Sequence, residues 1–313
     1  MSYNIFIDGE AGTTGLKVAS RLAAHPHVRV LHLDDAVRKD MSARLDMMAE
    51  ADVAILCLPD AAAIEVAAAA SAMDVCLIDA STAHRTAPDW VYGFAEMDAA
   101  QREALTTSKR ISNPGCYPTG AIALLRPLIT SGMIPADADI TVPAVSGYSG
   151  GGNAMIATHE AGDLAPHLAY ATSLAHKHVP EMQLYSGLDK APLFMPSVGN
   201  FYAGMLVHLP LHASQFAKPV SASALYDLLC DWYADSALVA MGAASANDLG
   251  GQTTMAADSL AGQNNMELFV FANQAESQFW LTARLDNLGK GASGAAVQNM
   301  NIALGIAEDT ALV

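Results

Sequence analysis

The segment around Cys116 carries the residues best suited to covalent chemistry. Residues 113–120 read NPGCYPTG, so two prolines and two glycines fix a sharp turn around the cysteine, and residues 121–128 are predicted to be helical. A thiolate near a helix N-terminus is stabilised by the dipole and by N–H donors, and it can attack acyl carbon to give a thioester that hydride reduces. The alternative is a small buried hydrophobic residue. That alternative is our prediction for the other three cysteines: Cys57, Cys76 and Cys230.

Residues 176–181 (HKHVPE) supply a second set of reactive side chains. Either His176 or His178 can exchange protons near neutral pH, and Glu181 can orient the ring that does so. Lys177 can attract an anion. An HxH pair can also bind zinc, but no further ligands accompany it at a suitable spacing, so we predict no metal site.

Two segments that follow predicted strands offer groups for an anionic substrate. Ser146 and Tyr148 belong to residues 146–152 (SGYSGGG), a loop whose N–H groups suit an oxyanion or a phosphate; a plain surface loop is the alternative. Arg85 and Ser81 follow another strand, at the edge where open α/β sheets bind ligands. Arg85 binds an anionic group of the substrate or forms an ion pair that stabilises the fold.

The glycine-rich turn near the N-terminus is typical of dinucleotide binding. Residues 9–15 read GEAGTTG, between a predicted strand and a predicted helix. Its glycines permit a tight turn and close approach of a pyrophosphate to the helix N-terminus, although a turn that binds nothing needs glycine as well. The predicted contacts are Gly9, Gly12, Thr13, Thr14 and Gly15.

The choice between NAD and NADP depends on charges that follow the second predicted strand. Asp34 and Asp35 favour NAD, because a carboxylate there can bind the ribose 2′-hydroxyl. Arg38 and Lys39 favour NADP, because a cation there can pair with a 2′-phosphate. These signals conflict, and each residue is also consistent with a solvated surface charge.

The pattern of apolar residues predicts two kinds of sheet. Short apolar strands alternate with alanine-rich helices over residues 3–80, which predicts an α/β, doubly wound (Rossmann-type) parallel sheet. After about residue 115, polar–apolar alternation predicts a mixed or antiparallel sheet in an α+β domain. Residues 293–308 are helical again. Gly289 and Lys290 lie in the glycine-rich segment that precedes this helix. They contact the cofactor or the substrate, or they belong to a segment that only caps the helix.

Composition restricts the partners of this chain. It has 313 residues, enough for two domains, and its net charge of −16 disfavours nucleic acid and anionic membranes as general partners. The most apolar stretch, residues 61–80, contains Glu65 and Asp74, so we predict no membrane span. The N-terminus lacks a secretory pattern and the cysteines lie far apart, so we expect reduced thiols in the cytoplasm.

These motifs together resemble the N-acetyl-γ-glutamyl-phosphate reductases of arginine biosynthesis, in their shorter type. The resemblance runs through nearly the whole chain, and NPGCYPTG is its most specific motif. The related aspartate-semialdehyde dehydrogenases share the architecture but frame their cysteine differently. The motifs that carry the resemblance are residues 9–15, 79–85, 113–120, 146–152, 176–181 and 290–301.

The resemblance implies two domains in a homo-oligomer, either a dimer or a tetramer. Residues 1–115, completed by the helix at 290–313, would bind NADP, and residues 116–289 would form the catalytic and oligomerisation domain. The family's use of NADP favours the reading of Arg38 and Lys39 as contacts of the 2′-phosphate. Further implied cofactor contacts are Ser81, Gly289 and Lys290.

The resemblance also implies a reaction. Cys116 would attack the γ-acyl phosphate of N-acetylglutamate, phosphate would leave, and NADPH would reduce the thioester. A histidine would protonate the aldehyde oxygen; we favour His176 for this role, with His178 binding the substrate. The other implied substrate contacts are Arg85, Asn113, Ser146, Tyr148 and Glu181.

Two alternatives remain open on the sequence. A related reductase acting on aspartyl phosphate or N-acetyl-aminoadipyl phosphate would need similar residues, because a single methylene changes binding by only about 1–3 kcal/mol. A non-catalytic NADP sensor would keep the dinucleotide fold. Such a sensor would have no need of both a rigid cysteine turn and an HxHxPE motif.

Overall fold

The computed structural model describes residues 2–162 and 165–313, which form two compact units. The first unit contains Met1–Gly115 and Ala292–Val313, and the second contains Cys116–Gly291. Across these described ranges, no helix is long and apolar enough to cross a membrane.

The first unit is built on a six-stranded parallel sheet. Its strands are β1 (Tyr3–Asp8), β2 (Val28–Leu31), β3 (Val53–Leu56), β4 (Cys76–Asp79), β5 (Val91–Tyr92) and β6 (Arg110–Ser112). Its helices are α1 (Thr13–Leu22), α2 (Met41–Ala49), α3 (Asp60–Ala69), α4 (Ala99–Thr107) and α9 (Gly294–Ala303). The strand order β2-β1-β3-β4-β6-β5, with every pair parallel, confirms the predicted doubly wound sheet.

Helices cover both faces of this sheet, because its strands are apolar on both sides. On one face Phe6 of β1 packs with Met48 of α2 and Val66 of α3 in the core. On the other face the buried helix α9 carries polar side chains that form hydrogen bonds within the unit. The Asn301 side-chain oxygen accepts from His25 Nε2 at 3.0 Å, and Gln298 donates to the Glu96 carboxylate at 2.9 Å.

The second unit is built on a seven-stranded mixed sheet, as predicted. Its strands are β7 (Thr141–Gly147), β8 (His167–Ala169), β9 (Leu193–Gly199), β10 (Met205–His212), β11 (Val239–Met241), β12 (Met266–Ala272) and β13 (Gln278–Leu285). Its helices are α5 (Cys116–Thr130), α6 (Gly152–Glu160), α7 (Val179–Ser186) and α8 (Ala222–Trp232). The order is β11-β12-β13-β10-β7-β9-β8, with antiparallel pairs in the middle and parallel pairs at β7–β9 and β11–β12.

Helix α5 lies directly on the inner face of this sheet. A Cβ at Gly120 would stand 2.9 Å from the side chain of Val207 on β10, so glycine sets this close approach. Pro127 lies inside the helix and cannot donate to the carbonyl four residues earlier. The Tyr233 hydroxyl donates to that carbonyl, of Ala123, at 2.9 Å, which satisfies the group that the proline leaves without a helical partner.

The predicted start of this helix at residue 121 is wrong, because α5 begins at Cys116 itself. Pro118 lies in the first turn, where the missing N–H would have had no helical partner, so the proline is compatible with the helix start. The cysteine is therefore the first residue of a helix of 15 residues.

Candidate active site and cofactor cleft

The turn that precedes Cys116 is held by hydrogen bonds within the first unit. The Asn113 side chain donates to the Ala292 carbonyl at 2.9 Å and accepts from Asn299 at 3.1 Å. The Asn113 carbonyl accepts from Arg85 Nε at 2.9 Å. Arg85 also donates to the Ala80 carbonyl at 3.4 Å and is buried. These bonds position the backbone just before the cysteine.

Cys116 itself is half-buried, is not part of a disulfide, and lies at the start of α5. A Cβ added to Gly291 would lie 2.8 Å from the Cβ of Cys116 and 3.2 Å from its Cα. Real Cβ atoms do not approach so closely, so only glycine at position 291 allows this backbone to pass beside the cysteine. Gly291 lies in the glycine-rich segment before the terminal helix, and its residue type alone does not predict this contact.

The two histidines of the HxH motif form one cluster of rings with Tyr117. The His176 and His178 ring centroids lie 4.6 Å apart, and the Tyr117 ring is 6.4 Å from His176 and 6.0 Å from His178. The His178 backbone N–H donates to His176 Nδ1 at 3.1 Å. An accepting Nδ1 places the proton of the neutral ring on Nε2, so His176 presents an N–H donor from that atom.

Two residues absent from the sequence-based site complete this cluster. Tyr170 lies 5.7 Å from the His176 ring, and Phe194 lies 5.2 Å from it on another side. A thiolate at Cys116 would add to the raised pKa of Tyr170 and of Tyr117, so the sulfur is within electrostatic range of both hydroxyls. Nothing in the sequence marked Tyr170 and Phe194, because their strands and loops carry no motif.

The hydroxyls of this cluster are kept protonated. Burial raises the pKa of Tyr170 to about 12, and burial also raises the pKa of Tyr117 well above its ordinary value. The Tyr117 hydroxyl donates to the Ser197 carbonyl at 2.9 Å and also interacts with the side chains of Tyr170 and Ser146. The site wall is therefore neutral and can act through hydrogen bonds rather than charge.

The loop after β7 is fixed by Asn287. The Asn287 side chain donates to the Ser149 hydroxyl at 3.0 Å and accepts from the Gly204 N–H at 2.8 Å. Tyr148 stacks on His159 with ring centroids 4.5 Å apart. These contacts favour a built loop over the alternative of a plain surface loop.

The remaining predicted groups of the second unit lie in its interior. Glu181 is almost wholly buried in the first turn of α7, and His178 is the residue at the N-cap of that helix. Gly289 has no room for a side chain, because a Cβ there would overlap the Gln263 carbonyl, and Lys290 is 1% exposed. Among the described residues, no group of three or more His, Cys, Asp or Glu side chains could hold a metal ion.

The glycine-rich turn of the first unit has the geometry that a pyrophosphate needs. Gly9 has a φ of +86°, a conformation that favours glycine, and a Cβ on Gly15 would stand 2.7 Å from the Cα of Glu10. Gly12 is the N-cap of α1, and no side chain caps the helix there. Thr13 and Thr14 are the first residues of α1, whose N-terminal N–H groups suit an anion.

A cleft of about 590 Å³ opens beside this turn, entirely within the first unit. Asp35, Arg38 and Lys39 line it, as does Arg44 from α2. The Asp34 carboxylate accepts a hydrogen bond from the Ala36 N–H at 2.8 Å, so it stabilises the turn in which it lies. Asp35 pairs with Arg38 at 3.6 Å on the surface. Of the charges that gave conflicting signals in the sequence, Asp34 therefore stabilises a local turn, and Asp35 and Arg38 form an ion pair with each other.

Ser81 belongs to a compact turn at the end of β4. Its N–H and hydroxyl both donate to the buried Asp79 carboxylate, each at 2.8 Å. His84 approaches the same carboxylate at 2.6 Å and stacks on Trp90 with centroids 4.1 Å apart. The Ser81 N–H and hydroxyl therefore both bond to Asp79 within the turn.

Comparisons with known proteins support the same division of the chain. The family model described as "Semialdehyde dehydrogenase, NAD binding domain" matches residues 4–105. The model described as "Semialdehyde dehydrogenase, dimerisation domain" matches residues 116–287. A crystal structure of aspartate semialdehyde dehydrogenase II from Vibrio cholerae covers 97% of this chain and 99% of its own, with a TM-score of 0.71 at 16% identity. That likeness shows the fold.

Relatives with greater sequence identity share one name. The N-acetyl-gamma-glutamyl-phosphate reductase of Brucella anthropi is 47% identical over 311 residues, which is 97% of this chain and 99% of the relative. The protein of the same name from Rhizobium etli is 48% identical over 310 residues, again 97% and 99%. The chain belongs to the N-acetyl-gamma-glutamyl-phosphate reductase family, within the semialdehyde dehydrogenases.

Proposed function

We propose that this protein is an NADP-dependent acyl-phosphate reductase that converts N-acetyl-γ-glutamyl phosphate to N-acetylglutamate 5-semialdehyde in arginine biosynthesis. Family membership at 47% identity over nearly the whole chain supports the reaction. The observation that carries the mechanism is the position of Cys116, the first residue of α5, directly before Tyr117, whose ring belongs to the cluster around His176.

Cys116 acts as the nucleophile in this proposal. Its thiolate attacks the γ-carbonyl carbon, the C–O bond to phosphate breaks, and phosphate leaves with that electron pair. The result is a thioester between Cys116 and the N-acetylglutamyl group. The close approach that Gly291 permits holds the sulfur in one position, which lowers the entropic cost of attack.

His176 holds a proton at the carbonyl oxygen. Its Nε2–H, fixed by the hydrogen bond that Nδ1 accepts, is the donor suited to negative charge developing on that oxygen. Tyr117 and Tyr170 keep their protons and form the neutral wall beside it. His178, Ser146, Tyr148, Glu181, Arg85 and Asn113 remain our predicted substrate contacts, with Arg85 and Asn113 also positioning the turn before the cysteine.

The residues of the first unit fit a dinucleotide phosphate. The turn formed by Gly9, Gly12 and Gly15 leaves no Cβ in the path of a pyrophosphate, and the adjoining cleft carries cationic side chains. When bound, NADPH supplies the hydride that reduces the thioester. Thr13, Thr14, Ser81, Gly289 and Lys290 stay in the proposal as predicted contacts, and Arg38 and Lys39 are the proposed contacts of the 2′-phosphate.

The reaction is tested in the reverse direction. N-acetylglutamate semialdehyde, phosphate and NADP⁺ should give phosphate-dependent NADPH formation with the wild-type protein, followed by NADPH absorbance. The Cys116→Ser variant should fold and bind NADP⁺ but show no turnover. Turnover that survives in this variant would remove Cys116 from the mechanism. Activity on aspartate semialdehyde or the aminoadipate analogue alone would reassign the substrate.

We further propose that the enzyme is a dimer that pairs through the outer face of the seven-stranded sheet. The inner face packs against α5, whereas Leu193, Met195 and Trp280 point outward and are 43%, 52% and 44% exposed. The description of the matching family model, a dimerisation domain, supports this assignment. Met195→Asp should convert the dimer to a monomer, as measured by light scattering. A variant that remains a dimer would show that the subunits pair through another surface.

A further inference from the structure

The floor of the cofactor cleft contains a charge pair that the sequence motifs do not predict. Asp8 is the last residue of β1, directly before the glycine-rich turn, and is 3% exposed. Arg44 reaches over from α2 and its Nε lies 3.4 Å from the Asp8 carboxylate, with only 12% of its side chain exposed. Both residues line the cleft.

The Asp8–Arg44 pair is much less exposed to solvent than the Asp35–Arg38 pair of the same cleft. Arg38 and Asp35 are 51% and 92% exposed, so solvent and salt screen their interaction. Arg44 is fixed by a second bond, from its Nε to the Arg38 carbonyl at 2.9 Å. Arg44 is thus the least exposed cation among those that line the cleft.

Asp8 is incompletely satisfied. Its Oδ2 is buried and has no hydrogen-bond partner within the described ranges. Burial raises the pKa of Asp8 to about 6, against the opposing effects of Arg44 and the Gly9 N–H. At pH 7 about nine-tenths of such a carboxyl is ionised, so it can still take up a proton when its surroundings change.

The other charged and titratable groups near Asp8 come from three neighbouring segments. Cys57, after β3, stays a neutral thiol, because burial and the charges of Asp8 and Asp79 raise its pKa to about 12. Glu10 lies in the glycine-rich turn and pairs with His32 at 3.0 Å. The loop after β2 contributes Asp35, Arg38 and Lys39.

We propose that Arg44 binds the 2′-phosphate of NADP and that Asp8 takes up a proton in exchange, so that cofactor selection is linked to pH. A phosphate dianion that enters the cleft attracts Arg44 and repels the Asp8 carboxylate. Protonation of Asp8 removes that repulsion and releases the guanidinium to the phosphate. NAD, which has no 2′-phosphate, leaves the Asp8–Arg44 pair intact. This inference rests on the proposed use of NADP.

The test is calorimetric binding of adenosine 2′,5′-bisphosphate to the whole protein, with no substrate and no turnover. Titrations at pH 7 in two non-phosphate buffers of different ionisation enthalpy measure the protons taken up. Wild type should take up substantially more protons on binding than Asp8→Asn. The difference should be at most about one proton per chain. The comparison with Asp8→Asn subtracts the proton that the ligand's own phosphate binds, whose pKa is about 6.

The pH dependence gives a second readout that needs no variant. Between pH 6 and 8 the Kd of the bisphosphate should rise relative to that of 5′-AMP, by up to about tenfold per pH unit after correction for the free ligand's ionisation. Arg44→Met should abolish most of the preference for the bisphosphate over 5′-AMP, whereas Arg38→Met should reduce it less.

Three outcomes would overturn the proposal. They are equal proton uptake in wild type and Asp8→Asn, an Asp8→Asn variant that loses 5′-AMP affinity as well, and a preference that survives Arg44→Met. The second outcome would instead make Asp8 a ligand of the ribose. Failure of the wild-type protein to bind either nucleotide would count against the proposed NADP-dependent reaction itself, which keeps the two failures distinct.

Discussion

The cofactor cleft of the first unit and the ring cluster of the second unit hold their functional groups by different means. In the cleft, the groups that we propose for cofactor recognition are charged side chains, and the Arg38–Asp35 pair is largely exposed. In the cluster, the rings of His176, Tyr117 and Tyr170 are neutral and are fixed by packing and by hydrogen bonds to backbone atoms. The interaction of an exposed charge can be weakened gradually by salt or by substitution of one charged residue. The packed geometry of the ring cluster, in contrast, is disrupted by a single substitution.

This difference predicts which substitutions are severe. Changes in the cluster should reduce kcat steeply with little effect of salt. Changes in the cleft should alter cofactor affinity moderately and in a salt-dependent way.

After the loss of turnover expected for Cys116→Ser, the largest effect should come from His176. His176→Asn removes the Nε2–H donor and should lower kcat by about 10²- to 10³-fold, because a donor to a developing oxyanion contributes on that scale. His178→Asn is the matched control, since it alters the adjacent ring but leaves the backbone N–H that bonds His176. Steady-state kinetics in which His178→Asn loses more kcat than His176→Asn would reverse our assignment.

A second substitution tests the geometry around the sulfur. Gly291→Ala would place a methyl group 2.8 Å from the Cys116 Cβ, and the resulting shift should lower kcat by about a hundredfold. NADP⁺ affinity should be unchanged. Gly132→Ala is the control, because that glycine has a φ of +71° and nothing within 4 Å, so it should lose stability without losing kcat. A normal kcat in Gly291→Ala would show that the sulfur tolerates displacement.

Smaller effects are expected for the exposed cations of the cleft. Arg38→Met and Lys39→Met should each weaken NADP⁺ binding by about two- to fivefold, because exposed charges contribute only about 0.2–1 kcal/mol. The difference from wild type should shrink as salt is added. Lys218→Met removes one exposed positive charge from the second unit and should leave the Kd unchanged. Equal losses in all three variants would indicate a general charge effect.

The smallest effect concerns a neutral imidazole on the sheet of the second unit. Trp280 Nε1 donates to His208 Nδ1 at 3.0 Å, and burial lowers the pKa of His208 from 6.5 to about 4. The unfolded chain therefore binds the proton more readily, so the contribution of His208 to stability is complete above pH 6.5 and is lost as pH falls towards 4.

The matched variant for this prediction is His208→Asn. The melting temperature of wild type should exceed that of His208→Asn most at pH 7, and the gap should narrow between pH 6.5 and 4. A gap that stays constant would show that His208 does not titrate differently in the folded and unfolded chains.

Much of the fold follows from the sequence because periodic apolar segments are local signals. Both predicted sheet types, the parallel sheet of residues 3–80 and the mixed sheet after residue 115, are confirmed. Strand β9 was not predicted, since Pro196 interrupts its pattern and its pairing with β7 is non-local. The short strands β5, β6, β8 and β11 depend on neighbours in the sheet rather than on their own residues.

The candidate site was only partly predictable for a similar reason. Motifs such as NPGCYPTG and HKHVPE mark residues that are adjacent in sequence. Tyr170 and Phe194 join the site through tertiary packing alone, which one sequence does not reveal. Asp8 did carry a signal, because a carboxylate that directly follows the apolar run of residues 5–7 before a glycine turn is unusual.

The central claim is that Cys116 forms a thioester before any hydride transfer. Rapid-quench mixing of the enzyme with N-acetyl-γ-glutamyl phosphate, without NADPH, tests this directly. We predict a burst of about one phosphate per active chain, with a matching acyl adduct on Cys116 by mass spectrometry, and no burst from folded Cys116→Ser. A wild-type enzyme that turns over normally with NADPH but gives neither burst nor adduct would contradict the account.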